Sequence, residues 1–201
     1  VKGRTIVVIG AGPGLGREVA SAALRDGANV VIAARRAEPL AEAARELDPS
    51  GKRVLAVPTD VGDAAACVAL MDAAADRFGR VDAFVKVAAL DTVFGTLEST
   101  PAEDWGRAVG VNIVGAANVA KAAVPHMERA GGGSIVLIGS QSMWKPPPAP
   151  QIAYAASKGG LLSAMYHMVE ELGPKKIRVN MVIPTWMWGP PVEGYVKMES
   201  K

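Results

Sequence analysis

The sequence contains a single cysteine, Cys67, in 201 residues. One thiol cannot form a disulfide within the chain, which excludes a disulfide-stapled secreted scaffold and favours a reducing compartment. No charged segment followed by an apolar run opens the sequence, because residues 1–4 lead directly into a predicted strand. We therefore expect a cytoplasmic protein in which Cys67 is a small buried residue of a predicted helix.

The chain also has little excess of charge of either sign, since it contains 22 lysines and arginines and 20 aspartates and glutamates. The basic residues are scattered, so we expect no nucleic-acid partner. No apolar run approaches the roughly 18 residues needed to cross a bilayer, so we expect no membrane partner. Neither histidine belongs to a cluster with metal-ligand spacing, and Ser140 lacks a G-x-S-x-G motif. These absences argue against a metal site and a serine hydrolase.

Six short runs rich in apolar and β-branched residues are the strongest signal present. They are nearly continuous rather than alternating, as expected of strands covered on both faces. Longer helical patterns separate them, which predicts an α/β fold with a doubly wound parallel sheet in a three-layer α/β/α sandwich. No boundary or repeat divides the chain, so residues 1–201 are predicted to form a single domain. The predicted strands are residues 5–10, 29–34, 53–58, 81–87, 134–139 and 176–183.

A glycine-rich turn follows the first predicted strand and opens a helix. Its pattern is G-x-x-x-G-x-G, formed by Gly10, Gly14 and Gly16, with Gly12 and Leu15 between them. Glycines allow a sharp turn and let a pyrophosphate approach the backbone N–H groups, to which a helix N-terminus adds a favourable dipole. These five residues are predicted to bind a dinucleotide, although a merely tight turn would use the same residue types.

The ends of the second and third strands indicate the cofactor. Arg35 and Arg36 stand where an acid would bind a ribose diol, and arginine suits a 2′-phosphate, so NADP(H) is preferred and NAD(H) is possible. Two solvated arginines entering a helix would give the same pattern. Asp60, followed by Val61, is placed to accept from an adenine amino group or, alternatively, to cap the next helix.

Five motifs in order resemble the short-chain dehydrogenase/reductase family over nearly the whole chain. Besides the glycine turn, they are Asp60-Val61, Asn112 with Gly115, Ser140 at a strand end, and Tyr154-x-x-x-Lys158. The resemblance implies a Rossmann-like fold and an NAD(P)-dependent oxidoreductase acting on CH–OH groups. It also implies a proton relay through Ser140, Tyr154, Lys158 and Asn112.

Tyr154 and Lys158 share one helix face, because Cβ atoms at positions i and i+4 lie about 5–6 Å apart. A free phenol has a pKa near 10, and we expect the ammonium of Lys158, joined by the positive charge of an oxidised nicotinamide, to lower it. Tyr154 would then exchange a proton with the substrate oxygen. By the resemblance, Lys158 also holds the nicotinamide ribose and Asn112 holds a water of the relay. Ser140, favoured over Ser142 because it closes the strand, binds the substrate oxygen.

Three positions depart from the family pattern. Lys86-Val87-Ala88-Ala89 replaces Asn-Asn-Ala-Gly, which shapes the cofactor's floor, and Lys86 either reaches the cofactor or points to solvent. Thr185 replaces the glycine after Pro184, while Gly189 stands where a threonine often contacts cofactor. By the resemblance, Ala88 and Pro184 contact the cofactor, and the chain ends before the family's C-terminal part.

Large apolar side chains are expected at the substrate end, beside Ser142. They suit a bulky apolar alcohol or ketone, or else pack the open end of the sheet or a subunit contact. The two longest predicted helices, around residues 101–130 and 152–172, commonly form a subunit interface in the family, so a homodimer or homotetramer is expected. The alternative to an enzyme is a non-catalytic nucleotide-binding sensor or scaffold, motivated by the departures. The apolar residues concerned are Met143, Trp144, Trp186 and Met187.

Overall fold

The computed structural model describes residues 1–199, without the side chains of five residues near the end of that range. Within these residues six strands form one sheet in the order β3-β2-β1-β4-β5-β6, and every neighbouring pair runs parallel. This is the strand order of a dinucleotide-binding doubly wound fold. The strands are β1 (Thr5–Ile9), β2 (Asn29–Ala34), β3 (Val54–Pro58), β4 (Ala83–Lys86), β5 (Gly133–Ile138) and β6 (Ile177–Val182).

Helices cover both faces of the sheet. The helices α1 and α2 pack with alternate residues of β1 to β3, and α3, α5 and α6 pack on the opposite face. Val7 and Val8 illustrate this coverage. Adjacent residues of a strand point to opposite faces of the sheet, and both of these side chains are fully buried. The helices are α1 (Leu15–Arg25), α2 (Ala37–Leu47), α3 (Ala64–Phe78), α4 (Ala102–Val109), α5 (Gly115–Arg129), α6 (Ile152–Leu172) and α7 (Pro190–Glu199).

The predicted fold class and all six predicted strands are confirmed, with ends that differ by at most two residues. The strands could be found because a parallel sheet covered on both faces requires apolar side chains in both directions. The helix α7 was not predicted. Its sequence, PPVEGYVKME, contains two prolines and a glycine and has no clear apolar stripe.

The predicted helical segment 101–130 is continuous but contains a π-helical turn. We call Gly110–Val114 the π-turn, since the Gly115 N–H donates to Gly110 O, five residues back. Gly115 is fixed by packing, because a Cβ there would lie 2.7 Å from Cγ2 of Val61. By length and composition, residues 102–129 suffice to cross a membrane, yet 44% of the most apolar window is buried inside the protein.

Candidate active site

The candidate residues gather at one edge of the sheet. All six strands are parallel, so their carboxyl ends lie along the same edge, which is where ligands bind in open α/β sheets. Gly10 follows β1, Asp60 lies beyond β3, Lys86 ends β4 and Ser140 lies just after β5. The central strands are in register here, since Ile9 pairs with Lys86 and Lys86 pairs with Leu137.

The glycine turn is shaped by close backbone packing. A Cβ at Gly10 would overlap the Ala88 backbone nitrogen, and one at Gly16 would overlap the Gly10 carbonyl oxygen. Gly14 has φ of 103°, a left-handed value that disfavours any side chain. Gly12 differs, because nothing lies within 4 Å of its would-be Cβ. No side chain caps α1, so its first N–H groups face the turn.

The ends of β2 and β3 carry the other predicted cofactor residues. Arg35 and Arg36 are both exposed at the entry to α2. The Asp60 carboxylate accepts from the Gly62 N–H at 2.9 Å. The alternative that Asp60 caps the next helix is wrong, because Asp63 caps α3 by accepting from Ala65 N and Ala66 N. Asp63 lies directly before the helix, within reach of its first N–H groups.

Val61 is buried between the start of α3 and the long helix. Its carbonyl oxygen accepts from Asn118 Nδ2 at 3.0 Å, and its side chain packs against Gly115. The Asp60-Val61 pair therefore joins the end of β3 to α5, which leaves the exposed Asp60 carboxylate at the edge of the sheet.

Ser140 and Tyr154 meet at the end of β5. The Ser140 hydroxyl accepts from both Ser142 N, at 3.2 Å, and Ser142 Oγ, at 2.8 Å. Hydrogen bonding from Ser140 also acts on the Tyr154 phenol. Ser142 therefore orients the Ser140 hydroxyl by donating two hydrogen bonds to it.

Burial raises the pKa of Tyr154 above its ordinary value, and the negative charge of Asp91 adds to the rise. Ser140 opposes the rise by hydrogen bonding. For the protein alone the net shift is upward, because desolvation of the phenolate outweighs the hydrogen bond from Ser140. The lowering expected from Lys158 together with an oxidised nicotinamide stays a prediction. At neutral pH Tyr154 is a neutral phenol and a proton donor.

Lys158 is almost completely buried beside Tyr154. Its Nζ donates to the Ile138 carbonyl at 2.6 Å and lies 5.6 Å from the centroid of the Tyr154 ring. Burial lowers the pKa of Lys158 to about 8, and Asp91 acts in the opposite direction. The helical spacing therefore brings the amine and the phenol together, as the sequence predicts.

Asn112 lies within the π-turn with a fully buried side chain. Its Oδ1 accepts from Leu90 N at 2.9 Å, while Nδ2 donates to Leu90 O and to Ser157 Oγ. Both amide hydrogens are used within the protein, so the side chain fastens α6 and the loop after β4 to the π-turn.

The side chain of Lys86 is directed into the protein, away from solvent and from the outer edge of the site. Both expectations for it, contact with the cofactor and exposure to solvent, are therefore wrong. Its side chain is 1% exposed, and Nζ donates to the Val111 carbonyl at 2.8 Å and to the Asn112 carbonyl at 3.5 Å. Burial, together with the charge of Lys158, lowers the pKa of Lys86 to about 7. The apolar face of β4 directs the lysine inward, where the π-turn supplies carbonyl acceptors.

The predicted apolar substrate residues line the open side of this edge. Trp144 is 65% exposed, Trp186 53% and Met187 49%, while Met143 and Ser142 are half-buried. The alternative that Trp144 packs the open end of the sheet is therefore wrong, while the alternative of a subunit contact stays open. Pro184 lies near Ser140, because its carbonyl accepts from Gln141 N at 3.2 Å.

Two further residues of the site were not singled out from the sequence. Ser157 receives the Asn112 amide and donates to the Tyr154 carbonyl at 2.7 Å. Asp91 shifts the pKa values of Tyr154 and Lys158. The position of Ser157 directly before Lys158 was the available signal. No sequence signal pointed to Asp91, because a charged residue in an irregular loop belongs to no periodic pattern.

The parallel order 3-2-1-4-5-6, with a glycine turn after β1, defines a Rossmann-type dinucleotide-binding fold. Comparison with known proteins refines this class, since the family model described as short chain dehydrogenase matches residues 4–196. The chain belongs to the short-chain dehydrogenase family. "Dehydrogenase/reductase SDR family member 4" of Pongo abelii is 33% identical over 171 residues, which are 85% of this chain and 61% of that protein.

Two solved structures with nicotinamide cofactors are also similar. The 3-ketoacyl-(acyl-carrier-protein) reductase from Brucella melitensis, complexed with NADH, has a TM-score of 0.85 and 31% identity, covering 92% of this chain and 76% of its own. A metagenomic short-chain oxidoreductase in complex with NADP has a TM-score of 0.83 and 31% identity, covering 93% and 84%. The family resemblance drawn from the motifs is confirmed.

Proposed function

We propose that the protein is an NADP(H)-preferring oxidoreductase that interconverts an apolar ketone and its secondary alcohol. The convergence of Tyr154, Ser140 and Lys158 beside the glycine turn carries this proposal. A phenol, a hydroxyl and an amine on one edge can bind a substrate oxygen and exchange a proton with it.

The glycine turn fits a dinucleotide. The backbone at Gly10 and Gly16 is packed too closely for a side chain, Gly12 leaves open space, and α1 begins without a side-chain cap. A pyrophosphate would therefore meet backbone N–H groups at a helix N-terminus. Relatives of this fold were solved with NADH and with NADP, so the choice between the two depends on Arg35 and Arg36.

The proposed chemistry assigns one task to each side chain. When bound, the nicotinamide would supply or accept the hydride. Ser140 Oγ holds the substrate oxygen, and Ser142 holds Ser140 in place. Tyr154 donates its phenolic proton to the carbonyl oxygen in reduction, which suits its raised pKa at neutral pH. Lys158 stabilises the phenolate that remains, and its own proton is readily replaced because its pKa is about 8.

An apolar substrate is supported by the exposed aromatics. Trp144 and Trp186 flank the loops after β5 and β6, so a bulky ketone would cover apolar surface that is otherwise in water. A homodimer or homotetramer through α4, α5 and α6 is part of the proposal, since Val114 and Tyr166 are also exposed. The proposed location is the cytoplasm.

Titration with NADPH and NADH, followed by quenching of tryptophan fluorescence, tests the cofactor. We expect NADPH to bind more tightly by about ten- to a hundredfold, the effect of a few charge-assisted hydrogen bonds. Replacing Arg35 and Arg36 with alanine should remove this preference, whereas Arg25→Ala should keep it. A panel of apolar ketones with the preferred cofactor tests turnover. Binding without turnover would instead support the sensor or scaffold.

A further inference from the structure

The buried amine of Lys86 has no task in the chemistry assigned so far. Lys86 lies on the same face of β4 as Phe84, which belongs to the core shared with α5 and α6, and it is almost completely buried. Burying an amine costs free energy unless hydrogen bonds replace its water. Among the residues that the structure describes, both hydrogen bonds of Lys86 go to backbone carbonyls of the π-turn. A costly donor is thus directed at one particular turn of one helix.

The π-turn leaves one backbone carbonyl without a partner in the helix. An N–H of a regular α-helix donates four residues back, whereas the Gly115 N–H donates five residues back, to Gly110. In the regular spacing of α5 the following N–H reaches back to Asn112, so the carbonyl of Val111 is passed over. A carbonyl that faces the protein interior needs a donor from elsewhere. Lys86 Nζ is that donor, since it lies 2.8 Å from the Val111 oxygen.

The contact between Lys86 and the π-turn does not depend on charge. Nζ also donates to the Asn112 carbonyl at 3.5 Å, which is a longer and weaker bond. Burial lowers the pKa of Lys86 to about 7, but a neutral amine still carries two donor hydrogens. The hydrogen bond to Val111 is therefore available on both sides of neutral pH.

The π-turn matters to the candidate site through the Asn112 side chain. Its amide oxygen accepts from Leu90 N, and its amide nitrogen donates to Leu90 O and to Ser157 Oγ. Ser157 stands between Tyr154 and Lys158 in the sequence and donates to the Tyr154 carbonyl. A continuous chain of hydrogen bonds thus runs from the end of β4, through the π-turn, to the helix that carries Tyr154 and Lys158.

We propose that Lys86 is a positioning residue, which fixes the π-turn at Gly110–Val114 and so holds the Asn112 amide against Ser157. In a helix of this length an extra residue has several possible places, and Lys86 selects the place whose unpaired carbonyl its amine reaches. If the turn formed elsewhere, Asn112 would meet other neighbours, and α6 would lose its tie to the loop after β4. The effect on catalysis rests on the proposed function, because only that chemistry requires Tyr154 to be held in place.

The side-chain amide of Asn112 reports on the π-turn directly. Its ¹H–¹⁵N signals, assigned by their absence in Asn112→Asp, sense the hydrogen bonds to Leu90 and Ser157. In Lys86→Met, which keeps an unbranched side chain but has no donor, we expect these signals to move toward those of a solvent-exposed amide. Lys86→Arg keeps a long donor and should leave them near their wild-type positions.

Leu40→Ala is the matched control for a loss of stability. Leu40 is buried in the core on the opposite face of the sheet, where the variant opens a cavity without touching the π-turn. It should leave the Asn112 signals in place. Should Lys86→Met fail to fold, Lys86→Leu removes the donor with a side chain that suits the apolar strand.

Two outcomes of the amide measurement contradict the proposal. Asn112 signals at wild-type positions in folded Lys86→Met would mean that the π-turn forms without the lysine. Equal movement in Lys86→Met and Lys86→Arg would mean that packing, and not the donor, holds the turn.

Steady-state kinetics of ketone reduction provide the second readout. We expect Lys86→Met to lower kcat by about ten- to a hundredfold, the effect of a small misplacement of catalytic groups, while the affinity for NADPH changes little. Leu40→Ala should keep the wild-type kcat below its melting temperature. An unchanged kcat in Lys86→Met would overturn the positioning role. If the wild type turns over no ketone, the proposed function fails, and the Asn112 signals still decide whether Lys86 fixes the π-turn.

Discussion

The Asn112 amide donates to the Ser157 hydroxyl at 2.9 Å, across 45 residues of chain. Ser157 lies between Tyr154 and Lys158 on α6, and its hydroxyl also donates to the Tyr154 carbonyl. This bond therefore sets the position of the proposed catalytic helix relative to the π-turn. The Asn112 side chain thus fastens the π-turn to the helix that carries Tyr154 and Lys158.

Removing this bond should weaken the fold and misplace the catalytic pair. We expect Asn112→Ala to lower the free energy of unfolding by about 2 kcal/mol or more, because Leu90 and Ser157 lose buried partners. Ser157→Ala should cost about 1 kcal/mol. Chemical denaturation measures both, and the double variant should lose less than the sum. Fully additive losses would mean that the two side chains act independently.

Tyr154→Phe should abolish most of the turnover while cofactor affinity changes little. The variant removes the proton donor and keeps the ring, and general acid catalysis contributes roughly 10²- to 10⁴-fold. Steady-state kinetics and the NADPH titration measure the two effects separately. Tyr166→Phe is the matched control, since Tyr166 lies exposed on the same helix. Activity retained in Tyr154→Phe would disprove the proposed mechanism.

Gly10→Ala and Gly12→Ala should differ sharply in stability. Gly10 has φ of 97°, and an added Cβ there would overlap the Ala88 backbone, whereas a Cβ at Gly12 enters open space. We expect a loss of at least about 2 kcal/mol for Gly10→Ala, from overpacking and a strained backbone. The melting temperature and denaturant midpoint of each variant give the comparison. Equal effects at both positions would contradict the packing described here.

Lys86 should make stability depend on pH in a way that Lys86→Met does not share. The pKa of Lys86 is about 7 in the folded protein and near 10.4 in an unfolded chain. Between these values the unfolded state binds the extra proton, so wild-type stability rises with pH, by up to about 1.4 kcal/mol per unit. Below pH 7 the full cost of burying the charge is present.

Denaturation from pH 6 to pH 10 should therefore show wild type gaining stability relative to Lys86→Met. The exposed Lys52→Met variant should follow the wild-type curve. A constant difference between wild type and Lys86→Met across this range would show that Lys86 keeps an ordinary pKa when folded.

The strands and the glycine turn could be predicted because local sequence determines them. A strand covered on both faces must be apolar throughout, and Gly10, Gly14 and Gly16 stand where packing or a positive φ excludes side chains. The spacing of Tyr154 and Lys158 places them together on any helix. Each of these inferences depends on residues that are close in sequence.

The missed features depend on residues far apart in the chain. The sequence around Lys86 does not show that a helix 25 residues later contains a π-helical turn whose carbonyl oxygens accept hydrogen bonds from this lysine. The upward shift of the Tyr154 pKa in the protein alone was not predicted, because burial is a property of the whole fold. The π-turn itself has no sequence signature, and it decides what Lys86 and Asn112 can do.

The extra residue of the π-turn also changes the angular phase of the long helix. One residue advances an α-helix by about 100°, so α4 and α5 present differently directed faces although the backbone is continuous. Accordingly α4 packs on α6, while α5 packs on α3. The two halves must be treated as separate amphipathic segments. An apolar stripe counted through residues 102–129 in one frame would assign the wrong side chains to the interior.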